Sequence, residues 1–271
     1  MVSFSFDQAE GLRRLLGEPR QRVYTFLSAL PSRQKNPLLF NLAASLARSC
    51  DNVMLFDATC SREGTGYYQG QHPGLTLAEA VWGGHAVGGA LHRVPQGFDL
   101  ACLAGSAAET DQEDFCVLAQ AFESVIAHSE VVLIDAGPDQ AEAFLPLTPE
   151  NALVLLAGDS ENAIKEAYML IKQMAGRFGR MPFGVLVSGD EENRSRAIFR
   201  NMAQTAAQYL GVQLHFMGYV PKDDHMARAV SLGRSVVDAF PMALSSCALR
   251  RVAGAFSDSG HDEHGYRMAG A

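Results

Sequence analysis

The sequence predicts an α/β fold: a doubly wound, mostly parallel sheet covered by helices on both faces. Two observations carry this expectation. Short apolar runs recur along the chain, and segments of helical period separate them. A parallel strand is buried on both faces, so it reads as a continuous apolar run rather than an alternating one. Runs of this kind alternating with helices are the mark of βα repeats. With 271 residues, 48% of them hydrophobic, the chain can fill the core of one large domain.

In chain order, "SFSFDQAEGLRRLLG" at residues 3–17 comes first. Ser5 stands three residues before Gln8, a capping-box spacing, and Ala9, Leu12, Leu15 and Leu16 form one stripe before Gly17 and Pro19. This predicts a short amphipathic helix within residues 1–20. Strands are expected at Val23–Leu27, Val53–Phe56, Asp99–Leu103, Val131–Ile134, Ala152–Ala157, Val185–Val187 and Leu214–Met217. Helices are expected at about 38–48, 113–128, 161–178, 194–210 and 224–232, giving an α/β domain over 21–256. The last segment, 257–271, is polar, Gly-rich and aperiodic, so it is expected to be disordered. His261 and His264 there are read as solvated rather than as a metal pair, and no metal site is expected.

The formal charge of −8 argues against a nucleic-acid footprint and supplies no polybasic membrane patch. Five scattered cysteines without a C-x-x-C pair suggest neither a disulfide framework nor a zinc site, and hence a reducing compartment. No basic flank precedes an apolar run at the N-terminus, and no window approaches 18 apolar residues. The expected location is the cytoplasm.

In open α/β sheets, ligands bind beyond the carboxyl ends of the strands. Asp57 ends "VMLFD" and Asp135 ends "VVLID". Carboxylates so placed hold metals or orient water in phosphate-transfer enzymes, and equally serve as caps or turn residues after a strand.

The order of these pieces resembles the MinD/ParA-like P-loop ATPases, and within them the FlhG-type (FleN/YlxH) flagellar number regulators. "DQAEGLRRLL" at 7–16 is similar to that subfamily's D-Q-A-x-x-L-R motif, and "NLAASLA" at 41–47 to the helix after the phosphate loop. "VMLFDA" and "VVLIDAG" fall where the family's switch I and switch II aspartates lie. "GYVPKDDHMARAVSLGRSVVDAFPMALSSCALRRVA" at 218–253 is similar to its last strand, G-x-[IV]-P-x-D loop and C-terminal helices. The resemblance implies a P-loop NTPase architecture, ATP or ADP with Mg²⁺ as cofactors, catalytic roles for Asp57 and Asp135, and nucleotide contacts from Lys35, Asn36 and Ser188.

The phosphate loop itself departs from the pattern. The family's K-G-G-V-G-K-T aligns with Leu30, Pro31, Ser32, Arg33, Gln34, Lys35 and Asn36. Only Lys35 matches. No glycine remains to allow positive φ and close backbone approach, and Pro31 and Pro37 each remove a donor. Asn36 replaces the hydroxyl that would hold Mg²⁺, and Leu30 replaces the lysine that reaches a partner's nucleotide. Switch I reads Asp57-Ala58-Thr59, and switch II ends in Asp139 instead of glycine, which predicts a negative charge near a polyphosphate. Ser188 replaces the family's base-contacting Asn. Asn36 and Pro37 are expected as N-cap and first helical residue. The expectation is a pseudo-ATPase, with nucleotide binding in doubt and an ATP-sandwich homodimer unsupported.

Function is then expected in the intact surfaces. The resemblance assigns Asp7, Gln8, Leu12 and Arg13 to binding and stimulating the SRP-type GTPase FlhF, against the plainer reading of a helix docked on its own sheet. It also implies the flagellar C-ring or a FleQ-type activator as partners, with peripheral placement at a cell pole or inner membrane. "LSSCALRRVAGAF" at 244–256 has only a thin apolar face, so packing is expected over membrane contact. Two other classes stay open: a working ATPase using Lys35, Asp57 and Asp135, and an accessory of another polar or secretion machine.

Overall fold

The computed structural model describes residues 21–71, 74–105, 112–147 and 151–258. The head, with Asp7, Gln8, Leu12 and Arg13, lies outside the described residues, as does the tail from residue 259.

Eight strands form one sheet: β1 (Arg22–Ser28), β2 (Val53–Asp57), β3 (His92–Arg93), β4 (Asp99–Cys102), β5 (Val131–Asp135), β6 (Asn151–Gly158), β7 (Phe183–Gly189) and β8 (Leu214–Pro221). Their order is β3-β4-β2-β5-β1-β6-β7-β8. All neighbours are parallel except the two-residue edge strand β3, which lies antiparallel to β4. All seven expected strands are present.

The helices are α1 (Ser32–Leu46), α2 (Leu77–Trp82), α3 (Gln112–Ile126), α4 (Pro138–Phe144), α5 (Glu161–Phe178), α6 (Glu192–Leu210), α7 (Asp224–Ser231), α8 (Val236–Ala239) and α9 (Leu244–Asp258). Alternate residues along each strand feed two cores. On one face Val23, Leu27, Met54 and Phe56 meet buried residues of α2 to α6; there Phe56, Phe122 and Phe144 pack edge to face with centroids 4.8–5.5 Å apart. On the other, Tyr24, Phe26 and Leu55 meet α1, α8 and α9.

The C-terminal helix belongs to this second core. Ala248, Val252 and Phe256 of the expected stripe are buried, while Leu244 is exposed. Phe256 stacks on Phe26 and meets Tyr24 edge-on, and its carbonyl accepts a 3.0 Å bond from the Tyr24 hydroxyl. Helix α9 runs two residues past the expected boundary at 256, because the Ser257 hydroxyl bonds to the Ala253 carbonyl and Arg22 bonds to the Ser257 carbonyl. Among the described residues no helix is long and apolar enough to cross a membrane.

The chain order turns back at β1, whose neighbours are β5 and β6. The crevice at this switch point lies beyond the ends of β1, β2 and β5, where Lys35, Asp57 and Asp135 stand.

Candidate functional site

The loop after β1 is short because α1 begins early. Pro31 is the N-cap, with φ −64° and ψ 153°, and its carbonyl accepts the Gln34 and Lys35 N–H groups at 2.8 and 3.0 Å. Five of the seven aligned phosphate-loop positions, Ser32 to Asn36, are therefore helical. This corrects the expectation of Asn36 as N-cap and Pro37 as first helical residue. Both lie inside the helix, because Asn36 has a tertiary role instead: its Nδ2 donates to the Glu63 carbonyl at 2.8 Å. Pro37 removes a helical donor, and the turn is supported by Asn41, whose Nδ2 donates to the Pro37 carbonyl at 2.7 Å.

Leu30 points inward. It is 6% exposed, and its Cδ2 lies where a side chain on Gly158 would begin. The Leu30 N–H is spent on Ser28 Oγ, 3.0 Å away. No residue from Ser28 to Asn36 has positive φ. A cradle needs successive N–H groups turned into a concavity, and that arrangement is absent from this loop.

The charged residues meet each other. The Lys35 ammonium bonds to both oxygens of Asp135, at 2.9 Å to Oδ1 and 2.6 Å to Oδ2. Thr65 Oγ1 also donates to Asp135 Oδ2 at 2.5 Å. Asp57 lies beside Asp135 in register between β2 and β5. Its Oδ1 accepts from the Thr59 N–H at 2.9 Å and the Thr59 hydroxyl at 2.6 Å, and its Oδ2 accepts from the Gly66 N–H at 2.7 Å. Burial and then the neighbouring Asp135 charge push the Asp57 carboxyl up to about 6, against the bonds from Thr59 and Gly66.

Of the residues that the sequence grouped, Lys35, Asn36, Asp57, Asp135 and Ser188, the structure brings the first four close together. Sequence reasoning missed Thr59, Glu63, Thr65 and Gly66. The readable signal was the stretch "REGTGYYQG" after the Asp57 strand, glycine-dense where the phosphate loop is not. Ser188 lies apart, at the end of β7, two strands from β1. Arg33 is exposed while Lys35 is buried, so the two do not form a cationic pair. Asp139 does not face the site: its carboxylate bonds to Arg177 of α5 at 2.7 Å, and Arg177 also reaches Glu142 at 2.7 Å and the Pro138 carbonyl at 3.1 Å. Helix α4, following a proline at its start, is turned so that position 139 points to α5 rather than the crevice.

A pocket of about 200 Å³ remains, lined by Ser28, Leu30, Ser32, Lys35, Asp135 and Gly137 among others. Drug-sized ligands usually occupy roughly 300–1,000 Å³. Magnesium-bound ATP does not fit the residues as arranged, since the helix displaces the cradle and chain donors already serve both carboxylates.

A second polar group lies at the ends of β6 to β8. Lys222 Nζ stands 2.7 Å from Asp159 and 3.3 Å from Asp190, and the Asp190 N–H donates to Asp159 at 2.8 Å. Burial pushes the Asp159 carboxyl up, but these bonds outweigh it and hold it below the ordinary range. In the loop "GYVPKD", Asp223 accepts from the His225 N–H at 2.9 Å and from the Ser245 hydroxyl and N–H at 2.8 and 3.2 Å. Burial raises that carboxyl, yet the bonds from His225 and Ser245 hold it at about 2. Asp223 therefore ties α7 to α9 in a structural role.

No family model matches the chain. The antiactivator FleN of Pseudomonas aeruginosa is 28% identical over 226 residues, covering 81% of this chain and 80% of FleN. Among solved structures, the Pyrococcus furiosus cell division ATPase MinD superposes with a TM-score of 0.64 at 16% identity, covering 87% of this chain and 98% of that one. A ParA family ATPase from Chlorobium tepidum gives 0.63 at 15% identity, with the same coverage. With β1 central, the mostly parallel sheet and the crevice residues in these places, the chain has the α/β architecture of the MinD/ParA P-loop NTPases.

Proposed function

We infer that the chain is an FlhG-like regulator of flagellar number or placement that acts by protein contact, with ATP hydrolysis lost. The observation that carries the loss of hydrolysis is the helical course of Ser32–Asn36 together with the Lys35–Asp135 pair: the surviving lysine serves an internal carboxylate. The likeness to an antiactivator fits a protein that works by binding. The D-Q-A-x-x-L-R match at Asp7, Gln8, Leu12 and Arg13 supports an FlhF-type GTPase as partner, with Gln8 or Arg13 presented to its phosphate chemistry. A C-ring protein or FleQ-type activator is the further partner class.

The test has two arms. In calorimetry with MgATP, the full chain should show no binding tighter than about 100 μM, which corresponds to roughly 5 kcal/mol. Tighter binding would revive the reading of a working ATPase. In the second arm, the full chain and a peptide of residues 1–20 should stimulate turnover of an FlhF-type GTPase, with Gln8→Ala weakening both. Absence of stimulation would refute the FlhF assignment while leaving the nucleotide reading intact.

A further inference from the structure

Residues 60–71 cross the carboxyl ends of β2 and β5 and continue toward the turn before α8. Two non-glycine residues with left-handed backbone bracket most of this run, Cys60 at φ 51° and Gln69 at φ 58°. Such φ values are uncommon outside glycine and persist where the surroundings hold the chain.

Between these two residues, the segment meets the carboxylate cluster. The Glu63 carbonyl accepts from Asn36, the Gly66 N–H serves Asp57, and the Thr65 hydroxyl lies 2.5 Å from Asp135 and 3.3 Å from Asn36 Oδ1. A hydroxyl has one proton, and the shorter, charge-assisted contact to Asp135 takes it. The glycines are needed for this approach. A Cβ at position 64 would lie 2.1 Å from Asp57 Oδ2, and one at position 66 would lie 2.1 Å from Cys102 Sγ.

The segment then reaches a different part of the fold. The Tyr68 ring sits edge-on to Phe40 of α1, with centroids 5.2 Å apart. Gln69 Nε2 donates to the Arg234 carbonyl at 3.0 Å, and Gln96 Nε2 donates to the Gly233 carbonyl at 3.3 Å and Gln69 Oε1 at 3.5 Å.

We propose that residues 60–71 are an intramolecular latch: Thr65 and Gly66 are an internal ligand for Asp135 and Asp57, and Tyr68 and Gln69 couple that engagement to α1 and the 233–234 turn. The chain thereby holds crevice and turn in one arrangement without an external ligand, and release at either end loosens the other. The latch rests on contacts within the chain and stands independently of the flagellar reading.

Hydrogen exchange on the full-length protein, with and without MgATP, tests this. Amides at 61–68 should be protected in the wild type, to the same degree in both conditions. Thr65→Val removes the hydroxyl at nearly constant volume and should lower protection there about tenfold, with a parallel loss at 232–236. Thr65→Ser should keep both protected. Unprotected 61–68 in the wild type, protection that depends on MgATP, or a Thr65→Val effect confined to 61–68 would each overturn the latch. Should Thr65→Val fail to fold, Gln69→Ala reads the coupling from the other end, and unchanged exchange at 63–66 in that variant overturns it.

Discussion

Asp57 and Asp135 stand side by side at the ends of two hydrogen-bonded parallel strands, and Asp135 alone of the two has an ion-pair partner among the described residues. Both are almost fully buried, at 2% and 1% exposure. Lys35 compensates one carboxylate, while the other relies on N–H and hydroxyl donors.

This arrangement sets a pH dependence. A carboxyl raised from 3.8 to about 6 binds its proton more tightly in the folded than in the unfolded protein. Its contribution to stability is therefore greatest below the unfolded value and is lost as pH rises through the folded one. In denaturant titrations between pH 4 and pH 7, the stability of the wild type relative to Asp57→Asn should fall as pH rises and level off above about 6. A difference that does not change with pH would remove Asp57 as a source of pH dependence.

Lys35 forms a buried ion pair with Asp135. Lys35→Met leaves Asp135 buried without its counter-ion and beside a second carboxylate, and removing one partner of a buried pair costs about 3–5 kcal/mol. Adding Asp135→Asn to Lys35→Met removes the unpaired carboxyl group and keeps an acceptor for Thr65, so most of the loss should be recovered. Denaturant midpoints of the wild type, both single variants and the double variant measure the coupling. Additive losses would contradict the pairing.

Asp223 gives an acid limb of opposite sign. Its carboxyl is held at about 2 by bonds from two helices, so its contribution is present above the unfolded value of 3.8 and is lost as pH falls toward 2. Asp223→Ala removes a side-chain cap of α7 and the link to Ser245 of α9, which should cost about 2 kcal/mol at neutral pH. The variant's thermal midpoint should depend less on pH between 4 and 2 than the wild type's; an equal dependence would assign the acid limb elsewhere.

The strands were legible because each is an apolar run between two covered faces, whereas β3 is two residues long and has no period to read. The start of α1 was misread for a physical reason. Asn-Pro is a sound local start signal, but the partner of the Asn36 amide is the Glu63 carbonyl, 27 residues away, and the helix begins five residues earlier. The carboxylates could be placed at strand ends from the sequence alone. Thr65, which donates to Asp135, lies 70 residues from it, in a loop whose glycines say only that the backbone approaches something closely. Position 139 reads locally as a charge beside the crevice, and only the packing of α4 against α5 turns it toward Arg177.

Leu30 tests whether the loop can be reverted residue by residue. Its side chain fills the space above Gly158 and belongs to the same core as Leu38, Leu156 and Phe40, so the backbone directs position 30 into the protein. Leu30→Lys would place an ammonium in that core without a carboxylate partner, or force the first turn of α1 to shift so that the charge reaches water. Either route should lower stability by about 2–5 kcal/mol, the range for losing a buried leucine. Neither creates the backbone concavity that phosphates need, because Ser32 to Asn36 would still be helical. Leu30→Lys should therefore melt below the wild type and show no upward shift in melting temperature with MgATP. A clear upward shift with MgATP would mean that the loop still switches to a phosphate-binding course, and that Leu30 alone had blocked it.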